Sequence, residues 1–201
     1  SLVYSRCIKP CSKYKTFIEV IPYLEKEYSF SYDQLLAGVT YFGKNYERIV
    51  EIFTKQVKEK YTLNTSASYF DCTNFYFEID KEDEEDGIRD NGVSKEHRPN
   101  PIIQMGLFMD ELGLPITYEL FRGNTNDCST LSTAMDKSII DFTTSKKIVV
   151  ADKGMMSYYN ILKIRKDQNG YVISQSIRKS DKDTVDFALN NEGWKETKDK
   201  D

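Results

Sequence analysis

Three strand-like runs follow one another between residues 68 and 121, and two helix–strand pairs come after them. "SYFDCTNFYFEI" is rich in aromatic and β-branched residues and reads as a central strand. "IIQMGLFMD" is the second run, Gly113 makes a turn, and "PITYELF" is the third. Such close succession predicts an antiparallel meander. "NTNDCSTLSTAMDKSIIDF" then switches to a helical period, with Leu131, Met135, Ile139 and Phe142 on one face. "KKIVVAD" reads as a fourth strand. "SYYNILKIRKDQ" reads as a helix capped by Ser157 and closed near Asn169 and Gly170, and "YVISQSI" as a fifth strand.

The order β-β-β-α-β-α-β leaves few folds. Crossover connections imply parallel pairing, so the fourth strand is expected beside the first or at the end of the sheet. The expected class is α/β, a mixed sheet with helices on both faces. One member of that set is the ribonuclease-H-like fold, in which strands one and four are neighbours. Ahead of the sheet, residues 1–64 read as a helical region. Ser31 can cap "YDQLLAGVTYF", and "NYERIVEIFTKQVKEKY" places Ile49, Ile52, Phe53 and Val57 on one stripe. Residues 65–177 form the expected sheet domain, with an acidic loop at 80–92.

An apolar content of 39% with 13% aromatic residues supplies a core and argues against wholesale disorder. No apolar run approaches the length of a membrane span, and the first residues do not form a signal peptide, so a soluble intracellular chain without a membrane partner is expected. The chain opens at Ser1 without Met and stops in "KETKDKD", which reads as a piece of a longer protein. Its net charge of −4 is concentrated: residues 80–90 hold seven acids against Lys81 and Arg89, which leaves the remainder slightly basic. Those acids lack the spacing of a calcium loop and read as a solvated segment. Cys7, Cys11, Cys72 and Cys128 show no disulfide framework, and His97 has no zinc-like spacing to them, so reduced structural thiols are expected.

Two acids stand out. Asp71 interrupts the aromatic first strand, where a carboxylate is costly unless its charge is balanced. Asp152 ends the buried-looking run "IVVAD". On adjacent parallel strands, both carboxylates would point to one spot near the carboxyl ends, where open α/β sheets place ligands. Like charges so close favour a counter-ion, and Mg2+ or Mn2+ suits carboxylate oxygen. Two such ions can promote in-line attack on a phosphodiester. Asp152 taken alone reads more readily as a turn or capping residue than as a functional one.

The stretches "YFDCTNFYFE", "GVSKEHRPNP", "GLPITYELFRGNTNDCSTL" and "IVVADKGMMS", with "SRCIKPCSKYKTFIE" before them, resemble bacterial insertion-sequence transposases of the DDE class. The branch is one with a β-rich insertion before its last catalytic residue. The resemblance implies a ribonuclease-H-like core that cuts the ends of a mobile element and joins them to target DNA. Asp71 matches the first catalytic acid and Asp152 the second, both as metal ligands, with Mg2+ or Mn2+ in a two-metal site of the full-length enzyme. The third acid is a Glu in a Tyr-Arg-Glu-Lys type motif. Glu192 and Glu196 lack those flanking residues, so residues 178–201 are expected to begin the insertion, with the Glu beyond Asp201 and the fragment inactive alone.

On the same resemblance, Lys95, His97 and Arg98 of the loop entering strand two are expected phosphate contacts, as are Lys153, Arg178 and Lys179. The implied partners are element-end and target DNA and further copies of the protein, in a dimer or larger assembly. The implied location is the bacterial cytoplasm, at the nucleoid when bound. Two other readings remain open: a ribonuclease-H-like nuclease that cuts without joining, and a catalytically dead DNA- or protein-binding remnant.

Overall fold

The computed structural model describes residues 1–79, 81, 83, 87–93, 99–137, 146–166, 168–190 and 192. The chain divides into two compact units, Ser1–Lys55 and Gln56–Asp201.

The first unit is helical. It holds α1 (Leu2–Ile8), the short α2 (Lys13–Lys15), a π turn over Thr16–Val20, a 3-10 turn over Ile21–Tyr23, and α3 (Tyr32–Lys44). Helix α4 (Tyr46–Lys60) starts in this unit. Ser31 caps α3 as the sequence predicts: its hydroxyl accepts the Gln34 N–H at 3.2 Å while the Gln34 side chain accepts the Ser31 N–H at 2.8 Å. Two otherwise orphaned donors are satisfied by this exchange. Val20, Ile21, Leu35 and Val50 are buried. The buried stripe of α4 differs from the expected one. It centres on Val50 and Thr54, flanked by half-buried Ile49, Phe53 and Val57, while Ile52 is exposed. At 100° per residue the apolar face is turned by about one position.

The second unit is built on a five-stranded sheet: β1 (Ala67–Tyr76), β2 (Ile102–Met109), β3 (Pro115–Arg122), β4 (Ile148–Ala151) and β5 (Gly170–Ile173). Their spatial order is β3-β2-β1-β4-β5. β1 pairs antiparallel with β2 and β2 with β3; β4 pairs parallel with β1 on one side and β5 on the other. A three-strand meander extended by two parallel strands through β1 is the ribonuclease-H-like mixed sheet. The neighbouring of strands one and four is as expected.

Helix α5 (Asp127–Lys137) connects β3 to β4, and α6 (Tyr158–Lys166) connects β4 to β5. Leu131 and Met135 of α5 are buried as expected, whereas Ile139 and Phe142 lie outside the described residues. α5 packs on β1, β2 and β3, α6 packs on β5, and the two helices touch each other. Both crossover helices therefore lie on one face, not one on each. The reason is topological: both connections step across the sheet in the same direction, and right-handed crossovers in one direction put their helices on one side. Ser157 caps α6, its hydroxyl accepting the Asn160 N–H at 3.1 Å. The helix closes through Gln168, which has a positive φ of 58°, one residue before the expected Asn169.

The core sits beneath these helices, with Phe70, Phe108, Leu131, Val149, Met155 and Ile164 at 2% exposure or less. β2 alternates strictly between buried and half-buried residues. Gly106 occupies one buried position because a side chain there has no room: a Cβ would fall 2.7 Å from the Phe70 ring. Past β5, a 3-10 turn over Ile177–Lys179 leads to α7 (Lys182–Leu189), capped by Asp181, whose carboxylate accepts the Thr184 N–H at 3.0 Å. No described helix is long and apolar enough to cross a membrane.

Candidate active site

The pleat decides which way the strand acids face. In β1, Ser68, Phe70 and Cys72 are buried against the helix side, while Tyr69, Asp71, Thr73 and Phe75 alternate to the exposed side. Asp71 therefore escapes the burial cost that its aromatic neighbours suggest. Its carboxylate oxygen Oδ1 accepts the backbone N–H of Cys72 at 2.8 Å.

Asp152 follows the last residue of β4 directly and is exposed. Its backbone is still extended, with φ −75° and ψ 165°, before a 3-10 turn over Lys153–Met155 begins. The alternation of the strand thus carries through it, and Asp152 shares the face of Val150, opposite buried Val149 and Ala151. It occupies the capping position of the 3-10 turn, yet its carboxylate makes no capping bond. Ser174 donates its hydroxyl to Asp152 Oδ1 at 3.1 Å.

Register brings these residues into one row. Phe70 of β1 lies beside Ala151 of β4, and Ala151 beside Ile173 of β5. The next residue on each chain is Asp71, Asp152 and Ser174 respectively. Neighbouring strands are about 4.8 Å apart, so the two acids occupy adjacent positions on one face. Ser174 was missed by sequence reasoning. Its only signal is its offset: it follows the fifth strand as Asp152 follows the fourth.

The loop after Asp152 is held from behind. Asn160, 1% exposed, donates from Nδ2 to the carbonyls of Met155 and Cys128, each at 2.7 Å. The Cys128 thiol donates to the Gly154 carbonyl at 3.0 Å. The end of β4 is thereby tied to the first turn of α5.

Among the described residues, no group of three or more His, Cys, Asp or Glu side chains converges. The donor set is two hard carboxylates in adjacent register. That set fits Mg2+ or Mn2+, which takes one or two carboxylates and completes its shell with water and substrate phosphate. It does not fit the closed, all-protein sites typical of structural zinc.

Of the basic candidates, Lys153 directly follows Asp152 and is exposed, and Arg178 and Lys179 lie in the 3-10 turn after β5, where Arg178 is exposed. Lys95, His97 and Arg98 lie outside the described residues, as does Glu196, whereas Glu192 follows α7. A cleft of about 570 Å³ opens elsewhere, lined by Asn74, Gln104, Thr125, Asp127 and Gly154 among others; it includes neither strand acid.

No protein-family model and no curated protein matches this chain. Solved structures do. A piggyBac transposase synaptic complex with hairpin DNA superposes at a TM-score of 0.45 with 13% identity, over 74% of this chain and 30% of that one. A pre-cleavage Mos1 transpososome gives 0.37 with 12% identity, over 87% and 58%. A Mos1 mariner paired-end complex with Mn gives 0.36 with 15% identity, over 65% and 41%. The chain thus spans between 30% and 58% of these three matched chains. Overlaps this loose assign nothing by themselves, and the fold is assigned here from strand order and register.

Proposed function

We propose that this chain is the catalytic-core portion of a DDE-class DNA transposase of the bacterial insertion-sequence kind, in which Asp71 and Asp152 carry metal-dependent cleavage and strand transfer. The observation that carries this reading is the register: the two acids follow Phe70 and Ala151, which are direct partners on parallel strands. The sequence resemblance that singles out the same two residues supports it independently of the fold.

A divalent ion, when bound, supplies Lewis acidity toward the phosphodiester and offsets charge that builds up on its oxygens. The chain's own residues supply place and orientation. Asp71 and Asp152 present carboxylate oxygens on one face, and the Cys72 N–H holds Oδ1 of Asp71 at 2.8 Å. Lys153, one residue past the second acid, would meet a backbone phosphate of the DNA, and Arg178 and Lys179 are assigned to the same task. Lys95, His97 and Arg98 belong to the same proposal by sequence alone. Positioning and charge stabilisation dominate phosphoryl-transfer chemistry, so rigid carriers for the two acids are what the fold has to provide.

The test is a strand-transfer assay of the full-length protein with element-end DNA in Mg2+ and Mn2+. Asp71→Asn and Asp152→Asn should each remove joining. Near-normal joining by either variant refutes the assignment. Cleavage without joining by the unmodified protein would make it a nuclease, and no activity together with no response to metal would make it a binding remnant.

A further inference from the structure

We propose that the outer face of α6 is a docking surface for the DNA backbone, an inference that rests on the DNA reading above and extends it beyond the two acids. Helix α6 sorts its residues into two sides. Asn160 and Ile164 are buried and Ile161 and Lys163 half-buried, whereas Tyr158, Tyr159, Leu162, Arg165 and Lys166 are exposed. At about 100° per residue those five fall within an arc of about 120°. Tyr158, Tyr159 and Leu162 are 77%, 65% and 47% exposed, so two phenol rings and an aliphatic side chain stand where a solvent face ordinarily carries polar groups.

The charge of this face points to its partner. No acid occurs within α6, although the chain as a whole carries −4. Lys163 turns inward, donating to the Asp136 carboxylate and to the Ser132 carbonyl. Arg165 and Lys166, on the outer face, make no ion pair among the described residues. Helix α4 shows the ordinary solvent pattern: Glu47, Glu51 and Glu59 alternate with basic residues, and Arg48 pairs with Glu51 at 2.8 Å. The helix dipole favours cations in the last turn of α6, yet it gives no reason for Tyr158 and Tyr159 in the first. A phosphate backbone suits both ends, since Arg and Lys neutralise phosphates and Tyr hydroxyls donate to their oxygens. From Tyr158 to Arg165 the helix rises about 10 Å, the run of about three phosphates on one strand. It opens shortly after Asp152 and Lys153, so the face leads away from the end of β4 where the second acid stands.

The experiment measures binding of this chain to a short mixed-sequence DNA duplex by fluorescence anisotropy, between about 50 and about 200 mM KCl. Arg165→Gln with Lys166→Gln should flatten the slope of log affinity against log salt by about 2, and weaken binding at least about 10-fold at about 0.1 M salt. Tyr158→Ala with Tyr159→Ala should weaken binding and leave the slope unchanged, because a neutral side chain displaces no counterion. Arg165→Lys keeps the charge and should keep the parent slope. Lys58→Gln with Lys60→Gln, both exposed on α4, makes the same change in net charge and should alter the slope by less than about 1. An equal loss in the α4 pair makes the effect one of net charge and overturns the inference. Unaltered binding in either α6 pair, or no binding by the parent chain, overturns it too. Melting temperatures show that each variant is folded; Arg165→Gln alone, expected to change the slope by about 1, replaces a pair that is not. DNA binding that depends on α6, without strand transfer by the full-length protein, leaves the inference standing and overturns the functional reading. Strand transfer that needs both acids, with binding indifferent to α6, does the reverse.

Discussion

Asp110 and the pair Asp71 and Asp152 are the same residue type put to opposite uses at two ends of one sheet. Asp110 closes β2 where β1 and β4 begin, and it is 0% exposed. Its Oδ1 accepts the N–H groups of Leu112 and Leu114, both at 2.9 Å, and its Oδ2 accepts that of Asn64 at 3.3 Å. It shapes the β2–β3 hairpin, whose Gly113 has a φ of 78°, and pins the segment entering β1. Glu111 beside it accepts the Asn64 amide and the Ala67 N–H at 2.6 and 3.1 Å. A buried carboxylate persists only when donors replace its hydration, and three backbone donors do so here. Asp71 and Asp152 keep their contact with solvent and stand side by side, which serves the fold little. The contrast separates an acid that organises backbone from two acids that the proposed function assigns to a metal ion.

Substitutions should split along that line. The largest effect is expected from Asp71→Asn and Asp152→Asn in the full-length protein: strand transfer falls by at least about 1,000-fold, roughly 4 kcal/mol of barrier. The stability of the present chain should change by no more than about 0.5 kcal/mol, as at other exposed sites. Denaturant unfolding that showed a large loss instead would make these acids structural and erase the contrast. Asp110→Ala should do the reverse, costing about 3 kcal/mol by stranding buried N–H groups. Urea titration measures that loss, and Mn2+ affinity below the transition should stay at the parent value. Gly106→Ala should cost about 2 kcal/mol through overpacking against Phe70, read as a lower midpoint of thermal unfolding. Ser31→Ala removes one half of the α3 capping box and should cost about 1 kcal/mol, seen as faster amide exchange in the first turn of α3. Being far from the sheet in sequence and in a different compact unit, it should leave Mn2+ affinity unaltered.

The element order was legible in the sequence because it rests on strong local signals. Aromatic and β-branched runs, Gly113 and the helical period after Asn124 each act within a few residues. The connection rules narrowed β4 to a place beside β1 or at the end of the sheet. The acids' environments were not legible, since those depend on which side of the pleat each residue takes. Asp71 looked costly among aromatics, but the phase of the strand turns it to solvent while Phe70 and Cys72 go inward. Asp110 stood in the sequence only as the last residue of the second strand run, although it is the fully buried one of the three. Ser174 carries no compositional signal; only the parallel register of three strands gives it a partner. The stripe of α4 failed for a related reason, because Thr54 is buried where an apolar residue was sought, with a hydroxyl that has no partner among the described residues.

Gly106 has a reach beyond its own strand. The space where its side chain would be is taken up by the ring of Phe70, which leans over β2 and also meets Phe108 at a ring separation of 4.7 Å. Phe70 immediately precedes Asp71 in β1. A single methyl group on β2 would thus press on the residue of β1 that stands next to Asp71.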